Sequence, residues 1–522
     1  LALNIGIFIG GRGVQAVESL VYLCAAGMGP EGKIFLLLID PDRNNKNLER
    51  ARDLIICYSE LRDALKIDNK VCPLFRTELI WGVDETSKKS LLVFNEFFVN
   101  GTKKNLDEYL GGPTVDDYSR KIVKLFYSTR ELEQSMDKGF RGHPSTGAPV
   151  ITLIKDTPHW QKMLGEIQNA KQAKVFVAGS VFGGTGAAGI PTIGRLLAQE
   201  AYETNNRFSL QSACCPLLPY FCFLPSDDIL AKKELYAKSE YFLMNSKAAL
   251  EFYHNHPSGY QHFYAVGYDE LVTRPFSEGG IWQNNPSHLI ELLGSLAGLC
   301  FFMTDRVTPM PDTLEEFLAQ RPQVLYACHA DDCYGWQSLP LWDQKDRLTL
   351  LDRCMYVFTV WSKSFETLFF EMLINPGFKE ESGRMKWYRM NFVPEQLSTE
   401  DEVKLLKKLK HFLSGKIKAA GNNERYVEIS GFFQWLTDIH LQTDSLKLFN
   451  IQQLDKGLLH EINPDRKFER DMQPFDIIWK NTCGIKDKQA TAGSAVGKFA
   501  TILHQAAARF CDSVFQIGKE GK

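Results

Sequence analysis

The residues best suited to chemistry in this chain are glycines. Residues 175–197 read VFVAGSVFGGTGAAGIPTIGRLL, an apolar run opening into Gly183-Gly184-Thr185-Gly186-Ala187-Ala188-Gly189 and then into a helical pattern. Glycines let successive backbone N–H groups turn toward an anion with no side chain in the way, and the start of the helix that follows adds positive partial charge. Thr185 could add a hydroxyl donor, so the spacing predicts a phosphate cradle. A tight strand-to-helix turn is the plainer alternative, but four glycines and a threonine in seven residues exceed what a turn needs.

A second cluster, Gly10-Gly11-Arg12-Gly13, lies between the first apolar run and a helical pattern, again placing amides at a helix start. Alone it is ambiguous, because Gly11-x-Gly13-x-x-Ala16 also fits the dinucleotide-binding fingerprint. The next apolar run ends in Asp40-Pro41-Asp42. There the Asp40 carboxylate could meet a ribose hydroxyl or, through water, Mg²⁺, or could simply close an Asx turn or cap a helix.

The elements that must position these residues alternate in the α/β manner: strand 3–9, glycine turn 10–13, helix 14–26, strand 33–39, helix 48–65. That rhythm predicts a parallel sheet covered by helices. Residues 84–148 are more polar and read as an excursion with little core, followed by a strand from 150. A further strand, 173–178, leads through the second glycine loop into a helix at 190–203. Then come a strand at 210–216, a loop through 225, an alternating segment at 241–244, a helix at 246–254, a strand at 262–266, and an apolar helix at 286–302 with Pro286 in its first position. Beyond about 304 the chain turns to aromatic-rich helices (347–373, 402–413, 496–515). Two domains are expected, an α/β nucleotide-binding domain at 1–303 and a mainly helical one at 304–522.

Composition narrows the function classes. The chain has 522 residues, 60 basic and 63 acidic, for a formal charge of −3. No general field therefore favours nucleic acid or an anionic membrane. The 12 cysteines are scattered, and Cys214-Cys215 cannot form a Cys-x-x-Cys clamp, so buried thiols in a reducing, cytoplasmic setting are expected. Even 289–303 is broken by Glu291, so no membrane span is expected. The opening LALNIGIFIGG lacks a basic n-region and a cleavage site and reads as a strand, with the natural start just upstream.

Two glycine loops in one sheet, with an acidic turn after the second strand, do not match a plain dinucleotide domain. They resemble the tubulin/FtsZ superfamily. There one loop follows strand one, an acidic loop follows strand two, and Gly-Gly-Gly-Thr-Gly-Ser/Thr-Gly follows strand four. Here the signature is Phe182-Gly183-Gly184-Thr185-Gly186-Ala187-Ala188-Gly189, which departs at the first glycine and carries one extra residue before the last. The resemblance implies a Rossmann-like GTPase sheet with a long central helix. It also implies GTP or GDP with Mg²⁺ held by Gly10, Gly11, Arg12, Gly13, Asp40, Gly183, Gly184, Thr185, Gly186 and Ala187.

FLMNSKAALEFYHN at 242–255 is similar to the family helix whose final Asn reads the guanine edge, a role that falls on Asn255; an amide both donates and accepts. WQNNPSHLI at 282–290 resembles the start of the central helix, which implies base stacking by Trp282 and hydrogen bonding by Asn285. Gly139-Phe140-Arg141-Gly142-His143-Pro144 falls where the family senses the terminal phosphate, through Arg141 or His143 here. Asn255, Asn284 and Asn285 also fit ordinary helix caps, and the Gly139 segment a surface turn. The family's catalytic loop is Gly-x-x-Asn-x-Asp-x-x-Glu, whose acids enter the next subunit's site. Asp312 and Glu315 keep the acidic spacing, while Val307 and Met310 replace the glycine and asparagine. A proline turn before an acidic helix start accounts equally for this segment.

The resemblance therefore implies a GTP-binding protein that assembles head to tail into filaments and hydrolyses GTP slowly between subunits. Its partners would be its own copies, with other proteins engaged through the C-terminal region. A non-polymerising nucleotide-binding module is the alternative, and an NAD(P)-dependent oxidoreductase the third. Gly493-Ser494-Ala495-Val496-Gly497-Lys498 is one residue short of a Walker loop and reads as a helix start. Neither His254, His256 and His262 nor Cys328, His329 and Cys333 has zinc-like spacing, and no Ser/His/Asp arrangement can be proposed.

Overall fold

LNIGIFI and KIFLLLI, rich in β-branched and aromatic side chains, form β1 (Leu3–Ile9) and β2 (Lys33–Ile39). Both are buried almost end to end, as expected where helices cover both faces of a parallel sheet. The remaining strands are β3 (Glu78–Ile80), β4 (Ala173–Ser180), β5 (Leu210–Leu217), β6 (Phe221–Phe223), β7 (His262–Val266), β8 (Val272–Arg274) and β9 (Gln323–Cys328). Seven of them form one sheet in the order β3-β2-β1-β4-β5-β7-β9, within which the six strands from β2 to β9 pair in parallel. β6 and β8 make a separate parallel ribbon. The chain winds outward from β1 to β3 and then returns past β1 to β4. This is a Rossmann-like α/β order whose direction reverses between β1 and β4.

The computed structural model describes residues 2–42, 45–80, 105–136, 139–205, 209–224, 238–256, 259–268, 271–276, 283–305, 307–328, 345–366, 399–415, 429–441, 478, 481–482 and 493–514. Two compact units result: Leu1–Ser19, Lys33–Arg52 and Leu79–Ala330 form the first, and Leu20–Gly32, Asp53–Glu78 and Asp331–Lys522 the second.

In the first unit the helix Leu289–Met303 is buried from Leu289 through Phe302 and packs on β4, β5 and β7. A helix apolar all round belongs inside a core. Gly298 brings it within contact of the Phe176 ring, where a β-carbon would stand 3.1 Å away. The helix starts at Leu289, capped by His288 and Glu291, rather than at Pro286, because the Pro286 carbonyl is taken by Gln15 Nε2 at 2.8 Å.

Other boundaries also move. Helices Gly10–Ala25 and Gly184–Glu203 begin within the glycine clusters rather than after them. Residues 241–244, expected to alternate, close a turn and open the helix Phe242–Asn255. The expected strand from 150 is instead the end of the helix Pro144–Thr152. Pro144 presets the helical φ, and Val150 and Ile151 are buried in the main core, so tertiary packing overrides their β preference. Gly147 sets the close approach to the helix Gly184–Glu203, since a β-carbon there would lie 2.9 Å from that of Ala188. The 84–148 stretch carries more core than its polarity suggested: Leu106, Leu132, Met136 and Phe140 are buried in the same cluster, and 81–104 lie outside the described residues.

The described part of the second unit is largely helical. Lys345–Ser364 packs on Ala495–Val514, and Trp361 Nε1 donates to the Ala500 carbonyl at 3.0 Å. The Tyr22 ring lies 5.3, 5.7 and 5.1 Å from those of Phe412, Phe432 and Trp435, tilted against each. The Gly493–Lys498 run is a helix start, as expected, and its Ala495 and Val496 amides donate to the Glu402 carboxylate at 3.0 and 3.1 Å. Of the cysteines whose burial is described, Cys24, Cys57, Cys72, Cys214, Cys215, Cys300, Cys354 and Cys511 are buried and Cys222 is half-buried. Among the described residues no helix is long and apolar enough to cross a membrane.

Candidate functional site

The strand register decides what meets what. Ile9 of β1 stands opposite Ile39 of β2 and Gly179 of β4. The residues that follow, Gly10, Asp40 and Ser180, therefore emerge abreast at the carboxyl edge. That edge, at the reversal of strand order, is where open α/β sheets bind ligands. A cleft partly open to solvent lies there.

Gly10, Gly11, Arg12, Asp40, Gly183, Gly184, Thr185, Gly186 and Asn285 all line this cleft. The helix Gly184–Glu203 has Gly183 at its N-cap with no side-chain capping bond. Its first-turn amides, which a helix cannot satisfy internally, thus face the cleft. The glycines also serve packing. A β-carbon on Gly186 would lie 2.3 Å from the Ser180 carbonyl oxygen, and one on Gly184 2.9 Å from that of Phe140. A β-carbon at either position would strike protein backbone before it could obstruct an anion. Gly183 differs, because a β-carbon there meets only Ser180 Oγ at 3.2 Å and otherwise open space. Gly13 and Ala187 are absent from the lining. Gly13 faces the Ala178 carbonyl, 2.7 Å from an added β-carbon, and Ala187 is buried.

Arg12 is largely engaged by the protein. Its Nη1 donates to Gln15 Oε1 and Tyr220 Oη, each at 2.9 Å, and lies 3.7 Å from Glu291 Oε1. Its guanidinium sits 4.5 Å over the Phe221 ring. Tyr220 in turn donates to Glu291, and Glu291 Oε2 accepts from the His288 amide at 2.7 Å. Burial pushes the Glu291 carboxyl up, with Arg12 opposing.

Asp40 forms the Asx turn that was its alternative reading, and it lines the cleft as well. Its Oδ1 accepts from the Asp42 amide at 2.9 Å and its Oδ2 from Asn45 Nδ2 at 2.8 Å. Burial, with the Asp42 charge beside it, raises its carboxyl to about 7. Among the described residues no three His, Cys, Asp or Glu side chains gather to hold a metal ion. Two carboxylates, Asp40 and Asp42, suit a hydrated Mg²⁺ that takes its remaining ligands from water and phosphate.

Arg141 lines the cleft with φ 47°, between Gly139 at 75° and Gly142 at 84°. A left-handed arginine costs roughly 1–2 kcal/mol, and such strain concentrates at ligand sites. His143 is absent from the lining and stands at the N-cap of the helix Pro144–Thr152; burial lowers its pKa.

Asn285 is held by its backbone. Its N–H donates to Asn47 Oδ1 at 3.0 Å, and its carbonyl accepts from Gln15 Nε2 at 2.9 Å and Arg50 Nη2 at 2.8 Å. Asn255 does not join the site. It is exposed at the far end of the helix Phe242–Asn255, whose first residue lines the cleft, about 20 Å away by helical rise. The amide in that helix's first turn is Asn245, half-buried. Trp282 lies outside the described residues. Asp312 and Glu315 are exposed. Between them and the core, the Pro311 carbonyl accepts from Tyr202 Oη at 2.9 Å. Tyr202 ends the helix whose first turn lines the cleft, so these acids lie about 27 Å from it by helical rise.

Sequence reasoning missed the β6–β8 ribbon, which brings Phe221, Phe223 and the buried Arg274 to the cleft beside Phe182, Phe242 and Phe276. Its three-residue strands are too short to show a period, and only the density of aromatic residues at 220–223 hinted at it. Compared with protein-family models and with curated proteins, the sequence matches none.

Proposed function

We propose that this protein binds a nucleoside polyphosphate in the cleft, GTP or GDP with Mg²⁺, as a tubulin/FtsZ-like protein that assembles head to tail. One observation carries the reading: two glycine loops stand abreast at the carboxyl ends of β1 and β4, with an uncapped helix start between them and the cleft. Phosphates would lie against the amides of Gly10, Gly11 and Gly183 through Gly186. Arg141 would supply positive charge, and Asp40 with Asp42 would hold the hydrated cation. Mg²⁺ there would neutralise and bridge phosphate oxygens. The guanine preference comes from the resemblance alone. Gln283 and Asn285 are the cleft-lining amides available to read a base edge, in place of Asn255.

The dinucleotide reading has less support. A second phosphate loop is superfluous in that chemistry. The exposed Asp312 and Glu315, remote from the cleft within one chain, leave the non-polymerising module as the second reading.

Mass identification of nucleotide released from the purified protein, together with calorimetry, tests the proposal. GTP should bind at micromolar or lower Kd and more tightly than ATP. Gly183→Val adds its side chain into open cleft space at a φ of −94° that valine adopts readily. It should weaken GTP binding at least tenfold while the melting temperature holds. Folded wild-type protein that binds neither GTP nor GDP at millimolar concentration would sink the reading.

A further inference from the structure

Five phenylalanines, Phe182, Phe221, Phe223, Phe242 and Phe276, line the side of the cleft that follows β4 and β5, away from Asp40 after β2. Their rings are continuous. Phe242 lies 5.0, 5.4 and 5.5 Å from Phe182, Phe221 and Phe223, and Phe223 meets Phe276 at 5.1 Å with planes 88° apart. Phe182, Phe221 and Phe242 are buried, while Phe223 and Phe276 are half-buried, so the last two are the rings a ligand reaches.

The surroundings restrict what this wall accepts. Arg12 already places a guanidinium 4.5 Å over Phe221, and Arg274 lines the same cleft. A cationic guest would meet like charge, whereas a neutral planar ring would gain stacking contact. Phe182 immediately precedes Gly183, so the aromatic wall begins one residue from the phosphate loop. A ligand filling both parts joins a polyphosphate to a flat ring.

We propose that Phe223 and Phe276 form the base seat, delivered by the β6–β8 ribbon and the two residues after it, in place of the stacking position that the resemblance assigns to Trp282. This rests on the nucleotide reading. Alanine substitution at a base-stacking aromatic costs roughly 1–3 kcal/mol, which corresponds to about 5–150-fold in affinity.

The test compares GTP with inorganic tripolyphosphate by calorimetry on the full chain. Phe223→Ala and Phe276→Ala should weaken GTP at least about fivefold and leave tripolyphosphate unchanged. Phe276→Leu, which keeps apolar volume without a flat ring, should weaken GTP too, and Phe276→Trp should retain it. GTP affinity unchanged in all the folded variants, or GTP and tripolyphosphate falling together, would overturn the base seat while leaving nucleotide binding intact. Wild-type protein that binds neither GTP nor tripolyphosphate would refute the underlying nucleotide reading, and the base seat with it.

Discussion

At the scale of single residues, Asp40 links the site to pH. Its carboxyl is raised to about 7 by burial and by Asp42, so the folded chain binds its proton more tightly than the unfolded chain does. The stability this contributes is complete below the ordinary carboxylate range and is lost as pH rises through about 7. The melting temperature of nucleotide-free protein should therefore fall between pH 5 and 8, and fall less in Asp40→Asn. A bound divalent cation favours the carboxylate, so the Mg²⁺-dependent part of GTP affinity should grow over the same interval. Calorimetry in two buffers of different ionisation enthalpy would read the released proton. An identical pH slope in wild type and Asp40→Asn would remove Asp40 from this role. The glycine loops and the acidic turn were legible because each depends on residue type at a fixed place. What residue type could not reveal is that Gly184 and Gly186 are fixed by Phe140 and Ser180, contacts made from far along the chain or across a turn.

At the scale of elements, strands β1, β2 and β7 kept the bounds read from apolar runs, whereas helix starts shifted. The reason is that a strand in a parallel sheet is defined by its burial, while a helix start is defined by caps and by what its first turn touches. Val150 shows the limit: a β-branched run entered a helix because that helix buries the run against the core. The start of the helix Leu289–Met303 depends on Glu291, which caps His288 and meets Arg12 and Tyr220 in a fully buried cluster. Removing one member of a buried pair leaves the other charge uncompensated, at about 3–5 kcal/mol. Glu291→Ala should thus destabilise the protein by about that amount in denaturant unfolding. Glu291→Gln, which retains hydrogen-bonding capacity, should cost less. Equal costs for the two variants would mean that burial of the side chain, rather than its charge, holds the helix start.

At the scale of the whole molecule, the two ends of one sheet carry different parts of the proposed chemistry. The glycine loops lie at the carboxyl edge. Asp312 and Glu315 follow a segment whose Thr308 carbonyl accepts from Gln211 at 3.0 Å near the start of β5, at the opposite edge. Within one chain they cannot reach the cleft. If they orient water for phosphoryl transfer, they do so in a second copy stacked head to tail, a heterologous contact that does not close and so extends. Asp312→Ala and Glu315→Ala should then leave GTP affinity nearly unchanged while turnover falls about tenfold or more, a barrier rise of at least ~1.4 kcal/mol. Turnover per subunit in the unmodified protein should rise with protein concentration. Mixing either acid variant with Gly183→Val, which keeps its acids but binds GTP poorly, should restore part of the activity. Turnover per subunit that stays flat across a hundredfold dilution, in protein that binds GTP, would exclude a site shared between copies and favour the non-polymerising module.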